Sequence, residues 1–273
     1  MTRQKRVLIL GGTGDAIALA ARAARIPGLD VISSLAGRTR QPDVFSPNTR
    51  VGGFGGVTGL ATYLRQQKID GVIDATHPFA AQISCHAAAA AIEVGIPHVR
   101  LVRPAWEPTE GDRWIEVDSH EAAAAVLPSL ARRIFLTIGR QELAAFAYPQ
   151  ATSLAAGDRS SSASNGTDLW FLMRMIDPPS PDAVIPAGKI LLERGPFSLE
   201  QERSRLQQYR IGAMVSKNSG GAATYAKIIA ARELKIPVVM IQRPSLPVGE
   251  QVADVESALE WLMSMPLSPQ SIV

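Results

Sequence analysis

The sequence is poor in the residues from which disulfides and metal centres are built. It holds one cysteine and four histidines in 273 residues. A single thiol excludes an internal disulfide and a thiolate metal cluster. No two histidines are four residues apart, the spacing that places a metal-binding pair on one face of a helix. We therefore expect no metal site.

Aromatic residues and long apolar runs are also scarce. Phe, Trp and Tyr make up 5% of the chain, and the net charge is only +3. A nucleic-acid interface shows a basic stripe with interleaved aromatics, so we expect no nucleic-acid partner; the mild positive balance favours an anionic small molecule. No run approaches the roughly 20 apolar residues of a membrane span, and the apolar run 7–10 is too short for a signal peptide. We expect a cytoplasmic protein with no membrane segment.

Short apolar runs alternate with longer stretches rich in alanine and leucine, which is the pattern of a β-α repeat. The runs are rich in β-branched residues and lack strict alternation, as in a parallel sheet covered on both faces. Predicted strands are 6–10, 30–34, 71–74, 97–101, 134–138, 169–173, 189–192, 213–216 and 237–241. Predicted helices are 15–25, 60–67, 80–94, 119–131, 199–208, 222–234 and 255–263. We expect an α/β fold of two Rossmann-like lobes, each a mainly parallel sheet with flanking helices, and a ligand cleft between them.

The two halves of the chain resemble each other. Segments 96–104 and 236–244 both begin with Ile-Pro and end with Arg-Pro, and each follows a strand, a polar turn and a helix. Duplication of one lobe explains this likeness, and so does convergent turn chemistry. Segment 106–118 is rich in Pro, Glu and Gly and predicts the boundary between a cofactor-binding lobe, residues 1–112, and a substrate-binding lobe, residues 113–273.

A glycine-rich turn follows the first predicted strand and precedes the first predicted helix. Its residues are Gly11, Gly12, Thr13, Gly14 and Asp15. Glycines let backbone amides approach a phosphate closely, and a helix N-terminus adds its dipole and unpaired N–H donors. The G-x-G-x-x-G pattern is incomplete, since Ile17 stands at the last glycine position, and such turns also occur without a ligand. We expect this turn to bind the phosphates of a nucleotide.

The end of the second predicted strand carries a cation instead of the acidic residue that holds the ribose hydroxyls of NAD. Candidate cofactor contacts there are Ser34, Ala36, Gly37, Arg38 and Thr39. A guanidinium suits a 2′-phosphate, so Arg38 favours NADPH over NADH, although a solvated loop arginine fits the same pattern.

Two further turns in the first half are candidates for the same site. Four glycines within residues 52–56 indicate either a backbone that passes close to a ligand or a flexible turn. Further candidate cofactor contacts are Gly53, Phe54, Gly55 and Thr76. His77, just after the strand 71–74, is a candidate acid and substrate contact, or a loop residue that only forms hydrogen bonds.

Polar turns also follow three predicted strands of the second half. The expected substrate contacts are His77, Arg140, Gln141, Arg194, Lys217, Asn218, Ser219, Gly220 and Gly221. Their cations suit carboxylates, unless they are unrelated surface charges. Two catalytic motifs are absent, which narrows the set of possible enzyme classes. No tyrosine is followed four residues later by lysine, the pair of short-chain dehydrogenases, and no G-x-S-x-G elbow of an α/β-hydrolase occurs.

Taken in order, several motifs resemble those of the precorrin-6A reductase family, NADPH-dependent enzymes of cobalamin biosynthesis. They are GGTGDA (11–16), SLAGRT (34–39), GGFGG (52–56), IDATHPFA (73–80), GDRW (111–114), FLTIGRQ (135–141), RGPF (194–197) and KNSGG (217–221). The resemblance implies NADPH at the first lobe, an anionic tetrapyrrole in the cleft, and reduction of one ring double bond of precorrin-6A to give precorrin-6B. It places the phosphate role on residues 11–15 and 2′-phosphate recognition on Arg38. Asp15 departs from the glutamate expected there.

Such a reduction needs a proton as well as a hydride, and His77, Lys217 and Tyr225 are candidate donors beside solvent. The sequence leaves open whether the substrate carries cobalt. It also leaves the oligomeric state open, and a monomer is compatible with all of these observations. Another NADP-dependent oxidoreductase and a non-catalytic nucleotide-binding protein are the alternative functions. Tight binding of NADPH with weak binding of NADH separates a reductase from a module that binds neither.

Overall fold

The chain forms two α/β units in the computed structural model, which describes residues 4–37, 48–147 and 169–266. One unit comprises Met1–Pro104 and Pro244–Val273, and the other comprises Ala105–Arg243. Each contains a six-stranded sheet whose described strand pairs are all parallel. This confirms the expected fold class of two parallel-sheet lobes with flanking helices. No helix of the described ranges is long and apolar enough to cross a membrane.

The sheet of the first unit reverses its strand order at its centre. Its strands are β1 (Lys5–Leu10), β2 (Leu29–Leu35), β3 (Thr49–Val51), β4 (Gly71–Asp74), β5 (His98–Leu101) and β12 (Gln251–Val252). Its helices are α1 (Gly14–Ala23), α2 (Gly56–Gln66), α3 (Ala81–Val94) and α7 (Val255–Ser264). The order is β12-β5-β4-β1-β2-β3. The chain therefore runs outward from β1 in both directions, and ligands of such sheets bind at the carboxyl ends of the strands beside this switch point.

Alternate residues of β1 supply the two cores of the first unit. Val7 and Ile9 pack with α1 and α7, whereas Leu8 and Leu10 pack with α2 and α3. All four side chains are buried, and each such burial stabilises the fold by about 1.5–3 kcal/mol. Because both faces of β1 are covered, the strand has no polar alternation.

The second unit has the same arrangement. Its strands are β6 (Trp114–Val117), β7 (Arg133–Leu136), β8 (Trp170–Met175), β9 (Gly188–Leu192), β10 (Ala213–Lys217) and β11 (Val238–Ile241). Its helices are α4 (His120–Leu130), α5 (Leu199–Gln208) and α6 (Ala226–Glu233), with a 3₁₀ turn over Leu143–Phe146. The order is β6-β11-β10-β7-β8-β9, in which β7 takes the place that β1 has in the first sheet.

In each sheet, one edge strand directly follows, in sequence, a strand of the other unit. β6 follows β5 in sequence but pairs with β11, and β12 follows β11 but pairs with β5. The helix α7 then packs against α1. The expected division into residues 1–112 and 113–273 differs from this arrangement, because the first segment of the first unit ends at Pro104 and residues 244–273, with β12 and α7, return to that unit.

Candidate functional site

The glycine turn after β1 is held by one hydroxyl. Thr13 is the N-cap of α1, and its Oγ1 accepts from the amide of Ala16 at 3.1 Å. The same hydroxyl donates to the carbonyl of Ala75, beyond β4, at 2.9 Å. Thr13 thus ties together the ends of β1 and β4. The amides of Gly14 and Asp15 stand in the first turn of α1, where no earlier helical carbonyl can accept from them, so they suit an anion.

Two of the three glycines face open space. The backbone of Gly12 has a φ of +116°, which L-residues rarely adopt. Among the described residues, a Cβ added at Gly12 or Gly14 would meet no atom within 4 Å, whereas one at Gly11 would lie 3.3 Å from the Cβ of Ala16. Packing explains Gly11 and backbone conformation explains Gly12. Neither explains Gly14, so its lack of a side chain fits close approach by a ligand.

A mainly apolar pocket lies beside this turn. Its lining residues are Ile9, Gly11, Gly12, Ala16, Ile17, Ala20, Ser33, Leu35 and Thr49. The hydroxyl of Ser33 is buried there without a hydrogen-bond partner among the described residues. Buried hydroxyls are normally satisfied, so the orphaned Ser33 fits a polar group of a bound nucleotide.

Arg50 joins two of the segments that the sequence predicts as cofactor contacts. Its guanidinium donates to Ser34 Oγ at 3.1 Å, and to the carbonyls of Gly52 at 2.8 Å and Gly53 at 2.9 Å. It also lies over the ring of Phe54, 3.8 Å from the centroid. Sequence reasoning missed Arg50, because β3 is too short to be predicted; a cation two residues before the glycine run was the available signal.

Of the remaining predicted cofactor contacts in this region, some lie within the ranges that the structure describes and some lie outside them. Gly37 follows β2, and a Cβ there would lie 3.1 Å from Val51. Ala36 precedes it, and Gly55 is the N-cap of α2 with a φ of +79°. Arg38 and Thr39 lie outside the described residues.

The turn after β4 is organised by Asp74. Its buried carboxylate accepts from the amide of Thr76 at 3.1 Å and from the Thr76 hydroxyl at 2.6 Å. In His77, Nδ1 accepts from the amide of Phe79 at 3.2 Å. A neutral ring that accepts this bond carries its hydrogen on Nε2.

A second arginine that sequence reasoning missed lies at the first turn of α1. Arg103, just after β5, donates from its guanidinium to Asp15 Oδ2 at 3.0 Å. No local pattern connects the two residues, which are 88 positions apart. The contact follows from the sheet order, which brings the ends of β1, β4 and β5 to one edge.

In the second unit, the Lys217 ammonium forms an ion pair with a carboxylate. Its Nζ lies 2.9 Å from Glu142 Oε1, in the turn after the neighbouring strand β7. The imidazole of His120, at the start of α4, has its pKa lowered by burial and further by the Lys217 ammonium. Glu142 and His120 were both missed, since each meets Lys217 only through the sheet.

Hydrogen bonds among Asn218, Trp106 and Arg243 organise the turn after β10. The buried Asn218 side chain accepts from the Trp106 amide at 2.8 Å and donates to the Trp106 carbonyl at 3.0 Å. The indole of Trp106 donates to Gly221 at 2.9 Å, and Arg243 donates to the carbonyls of Asn218 and Ser219. Gly220, like Gly221, has a positive φ. These contacts shape the turn after β10.

The other two predicted cations, Arg140 and Arg194, lie at different distances from Lys217, near the carboxyl ends of other strands of the sheet. Arg140 donates to the carbonyl of Pro178 at 2.9 Å, and Gln141 beside it is exposed. Arg194 is exposed just after β9, which is three strands from β10, or about 14 Å. The structure therefore brings Lys217 close to the turn after β7 but leaves Arg194 at the far side of the sheet.

The family model described as Precorrin-6x reductase CbiJ/CobK matches residues 6–263. The chain belongs to this family. It is similar to the precorrin-6A reductase of Rhodococcus erythropolis, at 49% identity over 258 residues, covering 94% of this chain and 97% of that protein. A cobalt-precorrin-6A reductase of Priestia megaterium is 28% identical over 272 residues, 96% of this chain and all of that protein. The solved structure of the CobK precorrin-6A reductase matches with a TM-score of 0.85 and 38% identity, covering 98% of this chain and 100% of that one.

Precorrin-6x reductases are oxidoreductases, so proton donors matter as well as the cofactor. The Tyr225 hydroxyl accepts from Arg232 at 2.9 Å, and Arg232 also binds both carboxylate oxygens of Asp112. Lys227 was missed. It is buried, its Nζ donates to Thr137 Oγ1 at 3.1 Å, and burial lowers its pKa to about 7.

Proposed function

We propose that this chain reduces one ring double bond of precorrin-6A to give precorrin-6B, with NADPH as the reductant, in cobalamin biosynthesis. The observation that carries the proposal is the match to the precorrin-6x reductase family over residues 6–263, which spans both units. The glycine turn with its open space at Gly14 supports the cofactor part of it.

The residues around the turn fit a dinucleotide. The amides of Gly12 to Asp15 would hold its pyrophosphate, and the Ser33 hydroxyl, which has no hydrogen-bond partner among the described residues, lies beside this turn. Arg38 stays our candidate for the 2′-phosphate. When bound, NADPH supplies the hydride that the reaction requires.

The cations of the second unit suit a substrate with many carboxylate arms. Arg140, Arg194 and Lys217 follow different strands, so together they fit a wide polyanion better than one small acid. The Glu142 carboxylate beside Lys217 limits how many carboxylates that position accepts. We propose that these residues orient the macrocycle, with Gln141 and the turn 218–221 shaping the surface.

The proton has three candidate donors in the chain beside solvent. They are the His77 imidazole, the paired ammonium of Lys217, and the Tyr225 hydroxyl, whose oxygen already accepts from Arg232. Orientation and electrostatics remain the main contribution that we assign to the protein.

We propose the metal-free substrate, because identity is 49% to a precorrin-6A reductase and 28% to a cobalt-precorrin-6A reductase. The test compares kcat/KM for precorrin-6A and for its cobalt form in parallel assays. A higher kcat/KM for precorrin-6A supports the proposal. A preference for the cobalt form would reverse this part of it.

A binding experiment tests NADPH as the cofactor. Arg38→Ala should weaken NADPH at least about tenfold and leave NADH nearly unchanged, because only NADPH carries the 2′-phosphate. Arg50→Ala is the comparison: it should weaken both, since Arg50 holds Ser34 and the Gly52–Gly53 backbone in place. Equal weakening of both dinucleotides by Arg38→Ala would contradict the role of Arg38.

A further inference from the structure

The first turn of α1 contains an acidic side chain at the position where the proposed cofactor brings its own negative charge. Asp15 is the second residue of α1, and its side chain is 41% exposed. A carboxylate there stabilises the free helix through the dipole. The pyrophosphate of a dinucleotide would meet the same amides, and two like charges at one helix end repel each other.

Arg103 is placed to remove this conflict. Its guanidinium reaches Asp15 Oδ2 at 3.0 Å, and its side chain is only 21% exposed, so the pair is partly shielded from water. β5 lies two strands from β1, about 10 Å away, with the end of β4 between them. Arg103 therefore crosses the carboxyl end of β4 to reach α1, the same edge at which Thr13 binds Ala75.

We propose that Arg103 is a positioning residue for the cofactor: by pairing with Asp15 it neutralises the carboxylate and lets the turn accept a pyrophosphate. The inference rests on the proposed function, since it needs a dinucleotide at this turn. It assigns Arg103 an electrostatic role through Asp15, not a direct contact with the phosphate.

The experiment measures the Kd of NADPH by its fluorescence for the wild type, Arg103→Gln, Asp15→Asn and the double variant. Arg103→Gln should weaken NADPH about tenfold at low ionic strength, because the carboxylate is then unpaired. Asp15→Asn should bind as well as the wild type or better. The double variant should return to within about twofold of the wild type, and Arg103→Lys should keep most of the affinity because it keeps the charge.

Two controls separate electrostatics from folding. Arg22→Gln removes the ion pair with Glu256 near the other end of α1 and should leave the Kd unchanged. Raising the salt concentration should shrink the deficit of Arg103→Gln, because ions screen the repulsion.

Two results would overturn the inference. If Asp15→Asn weakens NADPH as much as Arg103→Gln does, the pair is a structural clamp. If Asp15→Asn fails to restore affinity to Arg103→Gln, Arg103 contacts the phosphate itself. Failure of the wild type to bind NADPH would instead refute the proposed function, and this inference with it.

Discussion

At the glycine turn, the Thr13 hydroxyl is already used twice, as acceptor for Ala16 and as donor to Ala75, which leaves the backbone amides for the phosphates that we propose to bind there. This turn could be predicted from sequence because its glycines and its helix start are local. Arg103 and Lys227 could not, because their partners Asp15 and Thr137 are 88 and 90 residues away in sequence. Arg50 was missed although its place just before the glycine run was a local signal. The roles of the predicted site residues remain predictions that the following variants test.

Gly14→Ala should weaken NADPH more than about tenfold while leaving the melting temperature unchanged or higher. The added methyl meets no atom of the described part of the chain within 4 Å, and alanine favours the helix start more than glycine does. The measurement is NADPH affinity together with thermal unfolding. Gly249→Ala is the matched control, since a Cβ there also meets no atom of the described residues within 4 Å. Wild-type affinity in Gly14→Ala would exclude close approach at this residue.

Lys227→Met should raise the free energy of unfolding by a few kcal/mol at and below about pH 7. The unfolded chain holds the lysine proton up to pH 10.5, whereas the folded chain releases it near 7. Between these values the unfolded state binds more protons, so wild-type stability rises with pH and the gain of the variant shrinks towards pH 10.5. Denaturant unfolding across this range measures it. A gain that is independent of pH would contradict a buried, titrating lysine.

At the scale of elements, all nine predicted strands and all seven predicted helices are present, with ends shifted by a few residues. The missed strands are β3, β6 and β12, which have three, four and two residues. Each lies at a sheet edge, where one neighbour suffices and a long apolar run is not required. β6 also lies in the segment that its composition marked as a linker.

The turn before α2 depends on a glycine that sequence reasoning did not single out. A Cβ at Gly59 would lie 1.8 Å from the carbonyl oxygen of Phe54. Gly59→Ala should therefore displace the turn, lower stability by about 1–3 kcal/mol and weaken NADPH. Thermal unfolding and cofactor titration check this, with Thr58→Ala as the exposed neighbouring control. Unchanged stability would mean that the turn moves freely away from α2.

At the scale of the whole molecule, the two sheets have equivalent strand orders when β7 to β11 are matched to β1 to β5. This favours duplication over convergent turn chemistry as the reason for the likeness between segments 96–104 and 236–244. The exchange of β6 and β12 could not be predicted, because a strand of two to four residues carries no signal of which sheet it joins.

Because α7 packs in the core of the first unit, a destabilising substitution in α7 should affect that unit. Leu262 is fully buried with Val7 and Ile9, so Leu262→Ala should destabilise the first unit by about 2–5 kcal/mol. Hydrogen exchange should then quicken in β1 and α1 but not in β10. Leu206→Ala, buried in the second unit, should do the opposite. Faster exchange of β10 in Leu262→Ala would contradict the assignment of α7.

The most direct measurement mixes the purified chain, NADPH and precorrin-6A without oxygen and follows NADPH absorbance and the tetrapyrrole spectrum together. We expect NADPH to be consumed in equal amount to the macrocycle that is converted, and neither change to occur without the protein. Intact NADPH binding with no conversion of precorrin-6A or of its cobalt form would contradict the account and leave only a nucleotide-binding unit.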